Sequence, residues 1–206
     1  MFTWLKPSPL LDSNEQQWLV DTFLWAYERF DGEYFLKHSR LVLPTNEFFA
    51  GRSNSVTQMA TQVFSQVKRY AGLEVWPIKL VEPNQMAVQN FPSIKLSGAL
   101  RGESVVLEHA SAPVLMSYNP QQINQPQDLI ASFAQTFARV MIYQGRELPP
   151  GGEQFVDAAT EVMASFFGFG IMLSNTVYQF RGGCGKCYNK YANRSSELSE
   201  HLHVFL

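Results

Sequence analysis

Two neighbouring stretches, 128–143 and 153–178, are the longest apolar segments that could be helical, the second apolar on nearly every side, with only residues 144–152 between them. A surface helix carries one apolar stripe, whereas a helix that is apolar all round belongs inside a core or a membrane. The two stretches therefore read as a packed pair of core helices joined by the Pro- and Gly-bearing loop GRELPPGGE. Elsewhere the pattern is striped. Trp18, Leu19, Thr22, Phe23 and Ala26 recur at helical spacing, from a start near Asp12 or Ser13 to about Arg29. Asp12 with Glu15 and Ser13 with Gln16 both have capping-box spacing, and Asp31-Gly32 closes the helix. Met59, Val63, Phe64 and Val67 form a second stripe between Ser55 and Tyr70, with Gly72 as terminator.

Extended candidates are short: 73–80, interrupted by Pro77, then 93–96, 104–107 and 113–118. Leu41-Val42-Leu43, just before Pro44, is a brief strand or an extended connection. Val105, Val106 and Leu107 suit a strand covered on both faces or the core end of a hairpin. Ser195 or Ser196 can cap a last helix running to Leu206, and residues 1–11, with Pro7 and Pro9, read as an arm laid on the body. Helices, then strands, then helices is the segregated order of an α+β domain. The expectation is a small, twisted, mostly antiparallel sheet packed on the core helix pair. One domain spans 1–206, with 1–11 an N-terminal arm and 181–206 a C-terminal appendage.

Composition narrows the function classes. Net charge is −2 and no run of Lys or Arg appears, so the basic footprint of a nucleic-acid binder is missing. Residues 162–178 are the one transmembrane candidate. They contain Ser165, Gly168, Gly170, Ser174 and Asn175, follow Glu161 and fall short of 18 residues, which favours a buried helix and no membrane partner. The N-terminus lacks the pattern of a signal peptide, so the expected location is cytoplasmic. Two cysteines make no disulfide framework.

On the first core helix, Gln135 and Arg139 are four residues apart and share a face. An arginine amid Phe133, Phe137, Val140 and Met141 needs a partner if buried. The helix reads LIASFAQTFARV from Leu129; the second reads EVMASFFGFG from Glu161 and continues to Asn175. The pair resembles an uncharacterised bacterial group of zinc-metallopeptidase-like (zincin-like) proteins. Their first helix carries His-Glu-x-x-His within LxATLAHELxHxxL, and an acidic residue precedes an AxxxGFGxxxxN run on the second. Ala164, Gly168, Phe169, Gly170 and Asn175 fall at the spacing of that run, and LPT at 43–45 and LSEHL near the C-terminus match more weakly.

Such a motif places two histidines on one helical face, adds a carboxylate from the neighbouring helix, and uses the glutamate as general base. Here those positions hold Gln135, Thr136 and Arg139, and only Glu161 survives. Arginine has no lone pair to offer, and threonine cannot replace a carboxylate base. The resemblance thus implies the fold without its chemistry: no catalytic residue, no bound metal, no cofactor, and a remnant site of Gln135, Thr136, Arg139, Asp157 and Glu161. Arg139 either pairs with Glu161, helped by Asp157, or snorkels from the helix edge.

Cys184-Gly185-Lys186-Cys187 is half of a zinc site with His201 or His203, a redox pair, or structural. His38 and His109 are isolated, and no Gly-x-Ser-x-Gly occurs. Three functions remain. The first is an inactive peptidase-like domain that binds a protein or peptide, by strand addition at a cleft-side edge for example. The others are a subunit-assembly protein, including a homo-oligomer, and a hydrolase using non-standard groups such as Asp157 and Glu161 or the cysteine pair.

Overall fold

The computed structural model describes residues 11–86, 91–179, 193–194 and 198. Residues 1–10 of the arm, the Cys184/Cys187 pair, His201, His203 and the expected last helix apart from Leu198 lie outside them. Helix α1 (Ser13–Arg29) starts on the Asp12 carboxylate, which accepts the Asn14 and Glu15 amides at 2.8 and 2.9 Å. Glu15 returns a bond to the Asp12 amide at 3.1 Å, so the structure uses the Asp12–Glu15 box. Asp31 does more than close α1. With φ 68° it turns the chain directly into α2 (Gly32–His38), too short to show a stripe in the sequence.

Helix α3 (Val56–Tyr70) begins at Ser55, whose hydroxyl accepts the Gln58 amide at 3.1 Å. It ends at Gly72 (φ 72°), where the Gly72 and Leu73 amides bond back to the Arg69 and Lys68 carbonyls, both at 2.9 Å.

The fold is α+β, but the strands do not make the single, mostly antiparallel sheet expected. Among the described residues they form three separate two-stranded ladders. Strand β1 (Ile78–Leu80) pairs in parallel with β4 (Val114–Met116). Between them in sequence, β2 (Ile94–Gly98) and β3 (Val105–Ala110) form an antiparallel hairpin, and β5 (Tyr178–Gln179) pairs with β6 (Asn193–Arg194). Pro77 has no N–H to give a ladder and truncates the 73–80 candidate to three residues. Val105 is buried while Val106 is 55% exposed, so this is the hairpin alternative and not a strand covered on both faces.

The core pair is α4 (Pro126–Gly145) and a second helix in three parts: α5 (Val156–Ala164), a π turn at Ser165–Phe169, and α6 (Gly170–Thr176). Pro126 occupies the first helical position of α4, where its missing N–H costs nothing. One side of α4 meets α3, with Phe64 5.6 and 5.3 Å from the Phe133 and Phe137 rings, and α5 packs on another side. The uninterrupted helix expected over 153–178 breaks at Gly168 (φ 104°), whose carbonyl accepts the Val42 amide at 2.9 Å. A Cβ at Gly168 would overlap the Arg40 carbonyl oxygen. The segment around Val42 is thus an extended connection laid against the helix break.

Glu153–Thr176 is long and apolar enough to cross a membrane, yet 72% of its most apolar window is buried inside the fold, as in the core helix of a soluble protein.

Candidate functional site

Two hydrogen-bonded contacts bracket the core helices and set their register. Arg139 Nη2 donates to Asp157 Oδ1 near one end, and Asn175 Nδ2 donates to Gln127 Oε1 at 2.8 Å near the other. The helices therefore run antiparallel. One turn back from Arg139 on α4 and one turn on from Asp157 on α5, Gln135 lies across from Glu161. Of the five residues of the expected site, the pair bonded across the two helices is Arg139 with Asp157, so the pairing differs from expectation. Arg139 is not buried against Glu161. It forms an ion pair with Asp157, and the two side chains are 45% and 57% exposed. The physical reason is desolvation: an ion pair at the helix edge keeps its charges in water, while one beside Glu161 would lose that hydration.

Glu161 itself is 3% exposed, and its Oε2 accepts the Leu198 amide at 3.3 Å. Leu198 sits in a small apolar cluster with Leu11, Leu19 and Val162. The Thr136 hydroxyl donates to the Ser132 carbonyl at 2.7 Å, a bond within its own helix.

This donor set does not fit zinc. An amide, a hydroxyl engaged with the backbone and a guanidinium stand with two carboxylates, of which Asp157 is held by that guanidinium and Glu161 accepts the Leu198 amide. Among the described residues no group of three or more His, Cys, Asp or Glu comes together as a metal ion requires. No step through a metal follows from these residues.

Among the described residues the buried cation is Arg101, in the β2–β3 turn. It is 1% exposed and lies over the rings of Tyr34, Phe166 and Phe167 at 4.6, 5.2 and 4.8 Å. Its Nε donates to the Ala71 carbonyl at 2.9 Å and its Nη2 to the Ser39 hydroxyl at 3.2 Å. Nη1 has no hydrogen-bond partner among the described residues. Burial pushes its pKa down to about 10, against the opposing influence of Tyr34 and Asp31. The Asp31 carboxylate accepts the Leu100 and Arg101 amides at 3.2 and 3.3 Å and so fixes the turn that inserts the guanidinium. Nothing local marks Arg101 in the sequence, since a lone arginine between Leu100 and Gly102 reads as a solvated turn.

A second feature that pattern reading missed is a cleft of ≈ 290 Å³ between the 44–53 loop, α3 and the start of α4. Thr45, Asn46, Ser53, Gln62, Gln66 and Gln127 supply its polar groups, and Phe49, Met59, Val63 and Ile130 are its apolar lining. Gln62 and Gln66 each donate a side-chain N–H to the Ala50 carbonyl, at 2.5 and 3.1 Å. The Ser53 hydroxyl donates to Gln62 Oε1 at 2.9 Å. Ile130 and Arg139 are two and a half helical turns apart, so the Ile130 wall of this cleft and the Arg139–Asp157 pair lie on opposite sides of α4, while Gln127 links the cleft to Asn175 on α6. Asp128, buried in the first turn of α4, has its carboxyl pKa raised by desolvation.

Comparison of the chain with family models, with curated proteins and with solved structures finds no match.

Proposed function

We propose that the chain is a catalytically inactive, zincin-like domain that binds a protein or peptide in the cytoplasm. The observation that carries the reading is the antiparallel seam. It pairs Arg139 on α4 with Asp157 on α5, and its register brings Gln135 level with Glu161, with an ion pair where hydrolysis needs metal ligands and an open coordination position. The Gly168 break adds support, because it gives the GFG run a backbone role that the resemblance alone leaves unexplained.

A hydrolase built on Asp157 and Glu161 has less support, since Asp157 is held by Arg139 and Glu161 is buried against the Leu198 amide. Subunit assembly draws on one observation: Phe91, Val106 and Tyr143 leave apolar surface exposed on and beside the β2–β3 hairpin, with the Phe91 and Tyr143 rings 6.2 Å apart.

The zincin-like scaffold is tested by restoring the motif. The triple variant Gln135→His, Thr136→Glu, Arg139→His should hold about one zinc per chain by elemental mass spectrometry, and adding Glu161→Gln should remove it. A triple variant that melts like the wild type yet retains no zinc overturns the scaffold. Cleavage of a peptide library by the wild-type protein overturns the claim of inactivity.

A further inference from the structure

The cleft between the 44–53 loop, α3 and the start of α4 has chemistry suited to a ligand, and it is separate from the remnant seam. We propose that it is the peptide-binding site, and that its ligand is an uncharged, extended stretch of polypeptide recognised mainly through backbone amides. This rests on the peptide-binding reading above and assigns it a place.

Three observations carry the assignment. First, none of the residues lining the cleft is charged. Its polar side chains are amides and hydroxyls, which offer a donor and an acceptor together and so match both halves of a peptide group. Second, the site already holds a peptide carbonyl. Gln62 and Gln66, one turn apart on α3, each donate one N–H to the Ala50 carbonyl of the 44–53 loop, and each amide nitrogen carries a second N–H with which to meet a ligand's main-chain carbonyl. Gln127 faces the same space from α4, and its Oε1 is fixed by Asn175. Third, the apolar lining of Phe49, Met59, Val63 and Ile130 gives a ligand side chain somewhere to lose water.

Size and charge select the ligand further. A volume of ≈ 290 Å³ is at the small end of ligand pockets, which run from roughly 300 to 1,000 Å³, and accommodates a few residues better than a nucleotide cofactor. The start of α4 presents a positive dipole end to the cleft, which by itself favours an anion. Asp128, buried in that first turn, places a carboxylate at the same helix end and opposes one. A neutral internal segment avoids this conflict; a free C-terminal carboxylate does not.

The test uses full-length isotope-labelled protein and a library of N-acetylated, C-amidated tetrapeptides, in neutral, acidic and basic pools. Amide and side-chain NH₂ resonances are followed by NMR. The neutral pool should give saturable shifts at Gln62, Gln66, Gln127 and residues 44–53, with none at Gln135, Thr136 or Glu161. Val63→Trp, which fills the cleft, should weaken binding at least tenfold, as should Gln127→Ala in a variant that melts like the wild type. Arg139→Ala should bind as the wild type does. Saturable shifts that map to the α4–α5 seam overturn this site while leaving the peptide-binding reading intact. Preference for the acidic or basic pool overturns the ligand class, and no saturable shift from any pool overturns both the site and the reading.

Discussion

Arg139 follows Phe133 and Phe137 in an apolar helix and Arg101 sits in a glycine-bearing turn, and they meet the opposite of the environments this suggests. Arg139 projects from the edge of α4, nearly half exposed, with Asp157 as its counter-ion. Arg101 is enclosed by three aromatic rings and, among the described residues, has no carboxylate bonded to its guanidinium. Two of its bonds go to a carbonyl and a hydroxyl. The comparison shows that an apolar sequence neighbourhood is a poor guide to a buried charge. A helix exposes one side even when its flanking residues are apolar, whereas a hairpin turn can drive a single side chain into a distant core. The aromatic faces, whose quadrupoles attract cations, partly replace the missing counter-charge.

The comparison can be broken most forcefully at Arg101. Arg101→Ala removes the packing under Tyr34, Phe166 and Phe167 and strands the Ala71 carbonyl, so a loss of about 3–5 kcal/mol is expected by urea denaturation. A loss below about 1 kcal/mol would show that the guanidinium is not a structural hub. Next is Gly168→Ala, where the left-handed backbone and the Arg40 carbonyl both resist a Cβ; about 2–3 kcal/mol should be lost. Hydrogen exchange should then quicken at the Val42 amide if its bond to Gly168 is weakened.

A finer probe is Tyr34, which stacks on Arg101. Burial raises its phenol pKa, outweighing the lowering influence of Arg101. A raised folded-state value means that the folded protein holds the proton more tightly than the unfolded chain. That stabilisation is fully present below the unfolded value of about 10 and is lost as pH rises through the folded one. Tyr34→Phe should therefore gain on the wild type as pH rises above about 10 in paired denaturation curves; a difference that stays constant from below to above that value contradicts the assignment. The smallest effect belongs to Arg139→Ala. An exposed pair contributes roughly 0.2–1 kcal/mol, and the difference should shrink in 1 M salt.

The parts of the fold that could be read in advance depend on residues close together in the chain. The Asp12–Glu15 box, the Ser55 cap, the Gly72 stop and the paired core helices all follow from bonds or stripes spanning a few residues. The pairing of β1 with β4 was not legible, because two three-residue strands separated by a hairpin carry no register signal of their own. The candidate seam was half legible. Residue spacing put Gln135 and Arg139 on one face, but whether Arg139 meets Asp157 or Glu161 depends on how far α5 slides along α4. The cleft was invisible, since Gln62, Gln66 and Gln127 acquire a common target only when α3, α4 and the 44–53 loop converge.

What the chain determines by itself is the α+β order, the apolar helix pair and the shared helical face of Gln135 and Arg139. These are matters of composition and local spacing. The tertiary structure alone decides that Arg101 is buried, that Gly168 must break the second core helix, and that Glu161 takes the Leu198 amide. Each depends on groups far apart in sequence competing for the same desolvated space, and only the packed fold determines which group occupies it.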